Sequence, residues 1–432
     1  MFDTRTAGHR GPVSDDAEPS STAADPAVGE RSRWRVAAGL VGPAFVASVA
    51  YIDPGNFATN FSAGAKYGYT LIWVVVVANV MAMLVQYQSA KVGVVTGRDL
   101  PELCRERFPR TASTLLWVQA EVVAMATDIA EFVGAAIGLN LLFGVPLLPA
   151  GLITAVVAFV ILGLEQHGRR RFELVVVALL ALVLSGFLYD LASVGAHASA
   201  VAGGLVPHFA GADSVVLAAG IVGATVMPHV VYLHSALTKN LSPFVNDRER
   251  RSVLRVQRLD VVVALGLAGV INVVMLVVAA AVFSGLSGQH ADSIVAAHAG
   301  LAELAGGGTA VAFAVALLAS GLSSSSVGTY AGQVVMAGYL RRQVPLFVRR
   351  GVTMLPALVV LGLGLPLTST LVVSQVLLSF GVPFALVPLT MLSRRADVMG
   401  PHANRATTTA LMSAVAATII TLNAYLLYAV LH

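Results

Sequence analysis

Long apolar runs, returning one after another along 432 residues, constrain this chain more than any other feature. A helix that crosses a bilayer needs about 20 predominantly apolar residues, because backbone N–H and C=O groups inside lipid must be satisfied within the segment itself. Runs of that length lie at about 41-67, 69-93, 113-142, 147-166, 172-190, 213-238, 258-284, 309-338, 346-363, 369-391 and 407-430. About eleven spans are therefore predicted. Charged residues make up 12% of the chain and hydrophobic residues 57%, against about 25% charged in soluble domains, so a water-soluble globular protein is excluded. The expected fold class is an all-α polytopic membrane protein whose transmembrane domain occupies residues 34-432. A cytoplasmic tail over 1-33, rich in Ala, Asp, Ser, Pro and Gly and without an apolar run, is expected to be disordered. The first apolar stretch, near Val36, has no convincing cleavage site and leads straight into more membrane-type sequence, so it is not read as a signal peptide. The single Cys104 supports neither an intramolecular disulfide nor a thiolate metal site.

Basic residues test that division independently, since Lys and Arg collect in cytoplasmic loops. They occur in the tail (Arg5, Arg10, Arg31, Arg33, Arg35), after the second span (Lys91, Arg98, Arg105, Arg107, Arg110) and after the fourth (Arg169, Arg170, Arg171). They recur after the sixth (Lys239, Arg248, Arg250, Arg251, Arg255, Arg258), the eighth (Arg341, Arg342, Arg349, Arg350) and the tenth (Arg394, Arg395, Arg405). The intervening gaps near 143-147, 191-212, 285-308 and 364-368 hold no Lys or Arg, and only Lys66 lies on that side. The alternation predicts a multi-pass protein of the cell inner (plasma) membrane with a cytoplasmic N-terminus and an extracellular C-terminus. It also accounts for the net charge of +4 without nucleic acid; the lipid bilayer is the expected partner.

Two spans are poor helices at their centres. The first reads Tyr51-Ile52-Asp53-Pro54-Gly55-Asn56, where Pro54 lacks an N–H and Gly55 costs about 1 kcal/mol relative to Ala. A central Asp costs about 2.5 to 3.5 kcal/mol on the translocon scale, so Asp53 must face protein, water or an ion. The sixth span reads Ala224-Thr225-Val226-Met227-Pro228-His229. These interruptions head the first and second groups of five spans. Because five is odd, the groups must lie in opposite orientations, giving inverted repeats over about 41-190 and 213-391 with the helix at about 407-430 as an appendage. Paired proline-interrupted helices point to a midplane transport site, whereas either proline alone is as readily a structural kink.

Asp53 offers an anionic oxygen, Asn56 an amide oxygen, and unwound backbone the carbonyls of Ala50 and Ala224. Oxygen alone suits Mg²⁺, Ca²⁺ or Na⁺. The thioether of Met227 is a soft donor that favours divalent transition metals. An isolated methionine is more commonly lipid-facing filler, but Pro228 and His229 beside it argue for the site. Along the third span, Asp128 and Glu131 lie about 20° and 80° around the helix from Glu121, on one face. Such a stripe fits a proton relay or a charge network that locks helices together, and the rarity of intramembrane acids favours the relay.

Asp53-Pro54-Gly55-Asn56 and Met227-Pro228-His229 resemble the signatures of the Nramp family of proton-coupled divalent metal transporters, and the resemblance extends from about Pro43 to the last helix. It implies a LeuT-like 5+5 inverted repeat plus one extra helix, with helices 1 and 6 unwound at mid-membrane. It also implies secondary active import of Mn²⁺ or Fe²⁺ (also Cd²⁺, Co²⁺ or Zn²⁺) with proton symport by alternating access. By motif, Asp53, Asn56 and Met227 carry over as side-chain ligands and Ala50 and Ala224 as carbonyl ligands, and the methionine separates this chain from related magnesium or aluminium carriers. Gln375 is implied as a further ligand in one conformational state, a helix-helix hydrogen bond being its other reading. Asp128 and Glu131 match the family's proton-pathway acids, His229 links them to the metal, and Arg349 and Arg350 match basic partners near the inner exit. No prosthetic group is expected, and one chain is expected to function as a monomer. His234 reads as a packing histidine, Ser323-Ser324-Ser325-Ser326 as an aid to close helix packing, and Asn79, Gln86 and Asn272 as candidates for an outer vestibule or gate. The chain carries neither a Gly-rich phosphate loop nor a His-Glu-x-x-His helix, which argues against ATP-driven transport and intramembrane metalloproteolysis. Met227 and the acidic stripe weigh against a sodium-coupled carrier of organic solutes on the same fold.

Overall fold

The computed structural model describes residues 42–166, 169–241, 246–284, 293–341 and 345–431. The expected tail of residues 1-33, Arg342 and the segment 285–292 of one lysine-free gap lie outside the described residues. The helices in chain order are α1 (Pro43–Ala50), α2 (Pro54–Tyr67), α3 (Ile72–Thr96), α4 (Leu100–Arg107), α5 (Arg110–Phe143), α6 (Leu147–Gln166), α7 (Arg169–Val194), α8 (Ala198–Gly203), α9 (Ala212–Thr225), α10 (Pro228–Thr238), α11 (Asp247–Phe283), α12 (Ile294–Leu304), α13 (Gly307–Leu340), α14 (Leu346–Gly362), α15 (Leu367–Ser393), α16 (Ala396–Met399) and α17 (Ala406–Leu431). Each apolar run read from the sequence coincides with one of these helices, or with a pair of them at the first and sixth runs. Among the described residues, eight stretches are long and apolar enough to cross a membrane, accompanied by shorter apolar helices.

Proline explains both helix pairs. A proline disfavours helical geometry in the residue before it, and Asp53 (φ −73°, ψ 167°) and Met227 (φ −88°, ψ 120°) are extended. Pro54 and Pro228 then start new helices, where a missing N–H costs nothing. At the end of α1, the N–H groups of Tyr51 and Ile52 bond back to Ser48 and Val49 at 3.0 and 3.1 Å, a tightened last turn.

Between these breaks the core is built by helix crossings. The rings of Phe57 and Phe61 on α2 meet Phe187 of α7 and Phe313 of α13, with centroids 4.8–6.3 Å apart. Gly64 lets α2 approach α11 so closely that a Cβ there would lie 2.3 Å from the Leu276 carbonyl oxygen.

The structure corrects several boundaries. α11 begins at Asp247 rather than near 258, because the Asn246 side chain caps it, accepting from the N–H groups of Arg248 and Glu249 at 3.1 and 3.0 Å, and charged residues then carry the helix beyond its apolar part. Gaps read as loops contain α4, α8 and α12. Of these, α4 has a capping box between Asp99 and Glu102 and is tied to α10 by Lys239, whose Nζ lies 2.6 Å from Asp99 and 3.0 Å from Glu102.

Candidate transport site at two helix breaks

The donor groups at the breaks follow from the same two prolines. In an α-helix each carbonyl accepts from the N–H four residues on. For Ala50 and Ala224 that residue is Pro54 and Pro228, which have none to give. Both alanines are fully buried at half-helix C-termini, where the helix dipole is negative and a cation is favoured. The Ala224 carbonyl accepts from Nδ2 of Asn56 at 3.2 Å, which joins the two breaks directly.

Asp53 caps α2, accepting from the Asn56 N–H at 2.8 Å and from Asn56 Nδ2 at 2.7 Å. Its second oxygen accepts from Nε2 of Gln375 on α15 at 3.3 Å. Gln375 reaches that position because residue 55 is glycine: a Cβ there would lie 1.6 Å from Gln375 Nε2. The amide oxygens Asn56 Oδ1 and Gln375 Oε1 are buried without any hydrogen-bond partner, an arrangement that ordinarily costs about 1–3 kcal/mol per group. Met227 is buried too, at the cap of α10. Thus Asp53, Asn56, Gln375 and Ala224 are brought together by contact, with Ala50 and Met227 at the paired breaks. Among the described residues no three His, Cys, Asp or Glu side chains form a metal cluster; the arrangement holds one carboxylate among neutral donors.

The acidic stripe lies alongside. Glu121 on α5 pairs with Arg349 of α14 at 2.8 Å and accepts from Trp117 Nε1 at 3.3 Å. Asp128 faces Arg350 at 3.5 Å. Glu131 is fully buried, and it interacts with Asp128, Asp53 and Arg350 and with the Ser324 side chain. One turn further along α5, Gly134 abuts Pro54, so the helix carrying the acids touches the first break. His229 sets its Nδ1 3.4 Å from Thr127 Oγ1, and the Thr127 hydroxyl donates to the Val123 carbonyl at 3.0 Å. The Nε2 of His229 is buried without a hydrogen-bond partner.

Over residues 44–429 the chain matches the family described as Nramp, Natural resistance-associated macrophage protein-like. The chain belongs to the Nramp family. It is 50% identical over 392 residues to the divalent metal cation transporter MntH of Deinococcus radiodurans, covering 91% of this chain and 90% of that one. A crystal structure of the Eremococcus coleocola manganese transporter superposes with a TM-score of 0.83 at 33% identity, over 91% of this chain and 86% of that one. Mhp1, a nucleobase-cation-symport-1 family transporter, shares the fold at a TM-score of 0.61 and 15% identity, over 90% of this chain and 89% of that one. The architecture is the LeuT-like one, and the related proteins are named as transporters, not enzymes.

Several further polar residues lie near the two breaks. The Ser323–Ser326 run does more than ease packing: Ser325 supplies both its carbonyl and its hydroxyl to the Arg350 guanidinium, which also donates to Thr329. Asn272 donates to the Tyr51 carbonyl at 2.8 Å, Ser320 to that of Ile52, and Gln86 to the Tyr51 hydroxyl at 2.6 Å. Asn272 and Gln86 therefore brace the unwound segment. His234 lies 2.8 Å from Gln86 and extends that chain, while Asn79 packs against Gly269 of α11. The only sequence signal for these roles is that each is a polar residue within an apolar helix.

Proposed function

We propose that this chain is a secondary active transporter that imports divalent transition metal ions, Mn²⁺ and Fe²⁺ foremost with Cd²⁺, Co²⁺ and Zn²⁺ as further substrates, together with protons, by alternating access. The observation that carries the reading is the pair of buried, unpartnered amide oxygens, Asn56 Oδ1 and Gln375 Oε1, beside the Asp53 carboxylate. An ion at this position satisfies both. The carbonyls of Ala50 and Ala224 and the thioether of Met227 complete its shell, and the sulfur favours transition metals over Mg²⁺ and Ca²⁺. A single carboxylate among neutral ligands suits cargo, which has to leave again. The names of the relatives from Deinococcus radiodurans and Eremococcus coleocola support the same substrate class.

Protons take the route along Glu121, Asp128 and Glu131 of α5, with His229 linking these acids to the metal site and Arg349 and Arg350 as basic partners of the stripe. The chain sits in the inner (plasma) membrane with its N-terminus in the cytoplasm and its C-terminus outside, and works as a monomer. One M²⁺ with one H⁺ moves three charges inward, and at about 2.3 kcal/mol per charge per 100 mV an interior-negative potential contributes roughly 7 kcal/mol.

X-ray absorption at the cadmium edge of the purified protein loaded with Cd²⁺ tests the ligand set. A sulfur neighbour that vanishes in Met227→Ala, with binding lost in Asp53→Ala, is expected. An all-oxygen shell in the wild type would contradict the reading.

A further inference from the structure

The eleventh span is more than an appendage. α17 packs against α15 and α9 through a buried stripe of Met412, Val415, Ile419 and Asn423, whereas most of its remaining surface is open. Asparagine on a peripheral membrane helix is costly unless partnered, and Asn423 has two bonds to one residue. Its Nδ2 donates to the Ser379 carbonyl at 2.7 Å, and its Oδ1 accepts from the Ser379 hydroxyl. The reason lies in α15 itself. The residue four beyond Ser379 is Pro383, inside the helix, so the Ser379 carbonyl has no helical N–H and Asn423 supplies the missing donor.

Ser379 stands at a sensitive place. On one side it fills the space left by Gly223, where a Cβ would lie 2.5 Å from Ser379 Cβ and 2.6 Å from its Oγ. Gly223 immediately precedes Ala224, whose carbonyl meets Asn56. One helical turn earlier on the same face of α15 is Gln375, whose amide meets Asp53. A displacement of Ser379 is therefore transmitted to two members of the donor set, one through α9 and one through α15.

We propose that Asn423 is a positioning residue of the transport site: by gripping Ser379 where Pro383 leaves α15 without its own bond, it fixes Gln375 and the Ala224 carbonyl at the spacing a transition metal requires. This rests on the transport reading above. Groups that orient metal ligands from the outer shell are typically worth 10–100-fold in affinity.

The experiment compares Mn²⁺ uptake into proteoliposomes, and Cd²⁺ binding by calorimetry, for the wild type, Asn423→Ala, Gly223→Ala, the double variant Gly223→Ala/Ser379→Gly, and Thr418→Ala as a control on the exposed face of α17. Asn423→Ala is expected to raise the half-saturating Mn²⁺ concentration and the Cd²⁺ dissociation constant about tenfold, with the maximal rate per inserted protein retained. Gly223→Ala should do the same, and the double variant should recover, because glycine at 379 removes the atoms that the new methyl strikes while keeping the carbonyl that Asn423 grips. Thr418→Ala should match the wild type. Unchanged half-saturation in Asn423→Ala, or a fall in maximal rate alone, overturns the proposal. Should Asn423→Ala not insert, the Gly223 pair decides: no effect of Gly223→Ala, or no recovery in the double variant, overturns it. A wild type that takes up no Mn²⁺ overturns the transport reading and this inference with it, whereas normal wild-type uptake with unaltered variants overturns this inference alone.

Discussion

At the scale of single residues, the proposed site pairs a soft donor with hard ones. In that proposal Asp53 and the amide oxygens attract any divalent cation, whereas the Met227 thioether favours polarisable ions. Met227→Ala should therefore relax discrimination against Ca²⁺ and Mg²⁺ more than it reduces Mn²⁺ uptake, measured as competition in proteoliposomes; equal losses for all ions would contradict that role. Asp128→Asn should weaken the proton entry that accompanies Mn²⁺ while leaving some metal flux, followed with an internal pH dye. The variant is expected to fold, since Arg350 keeps its bonds to Ser325 and Thr329, and unchanged proton entry would remove Asp128 from the route. Asp53, Met227 and the acids were legible in the sequence because an acid or a proline within an apolar run has a cost that needs a reason. Ser325 and Asn272 were not, because a lone hydroxyl or amide in a membrane helix has many possible partners and only the fold selects one.

At the scale of elements, a proline at each broken helix removes one N–H and disfavours helical geometry in the residue before it, but packing decides the outcome, since Pro383 sits inside the continuous α15. The apolar runs placed the spans, since lipid thickness sets their length. Helices outside the apolar runs escaped that reading. α4 is stabilised by its capping box and Lys239, and α11 extends past its apolar part on a polar cap, neither of which an apolar run can report. Close crossings depend instead on small residues, as at Gly64, where a methyl would meet the Leu276 carbonyl oxygen, the Ala280 nitrogen and the Ala279 Cβ of α11. Gly64→Ala should cost roughly 1–3 kcal/mol through forced separation of α2 and α11, read as a lower thermal midpoint of the purified protein. An unchanged midpoint would mean that the two helices separate without penalty.

At the scale of the whole molecule, basic residues alternate with basic-free gaps, and this pattern is the ground for the proposed orientation. With Cys104 buried, variants with one added cysteine report it cleanly. A membrane-impermeant thiol reagent should label Glu303→Cys on α12 in intact cells and Glu249→Cys on α11 only after permeabilisation; the reverse would invert the topology. The fold as a whole was readable because two like breaks head two groups of five spans, whereas the role of α17 was not, since Asn423 and Ser379 are distant in sequence and their pairing follows from Pro383. Proton-coupled import selective for soft divalent ions is tested by Mn²⁺ flux into proteoliposomes at an inside-negative potential, with an internal pH dye and excess external Mg²⁺ and Ca²⁺. Saturable Mn²⁺ entry with acidification, resistant to those competitors, is the expected result; no entry from correctly inserted protein, or full block by Mg²⁺, would contradict it.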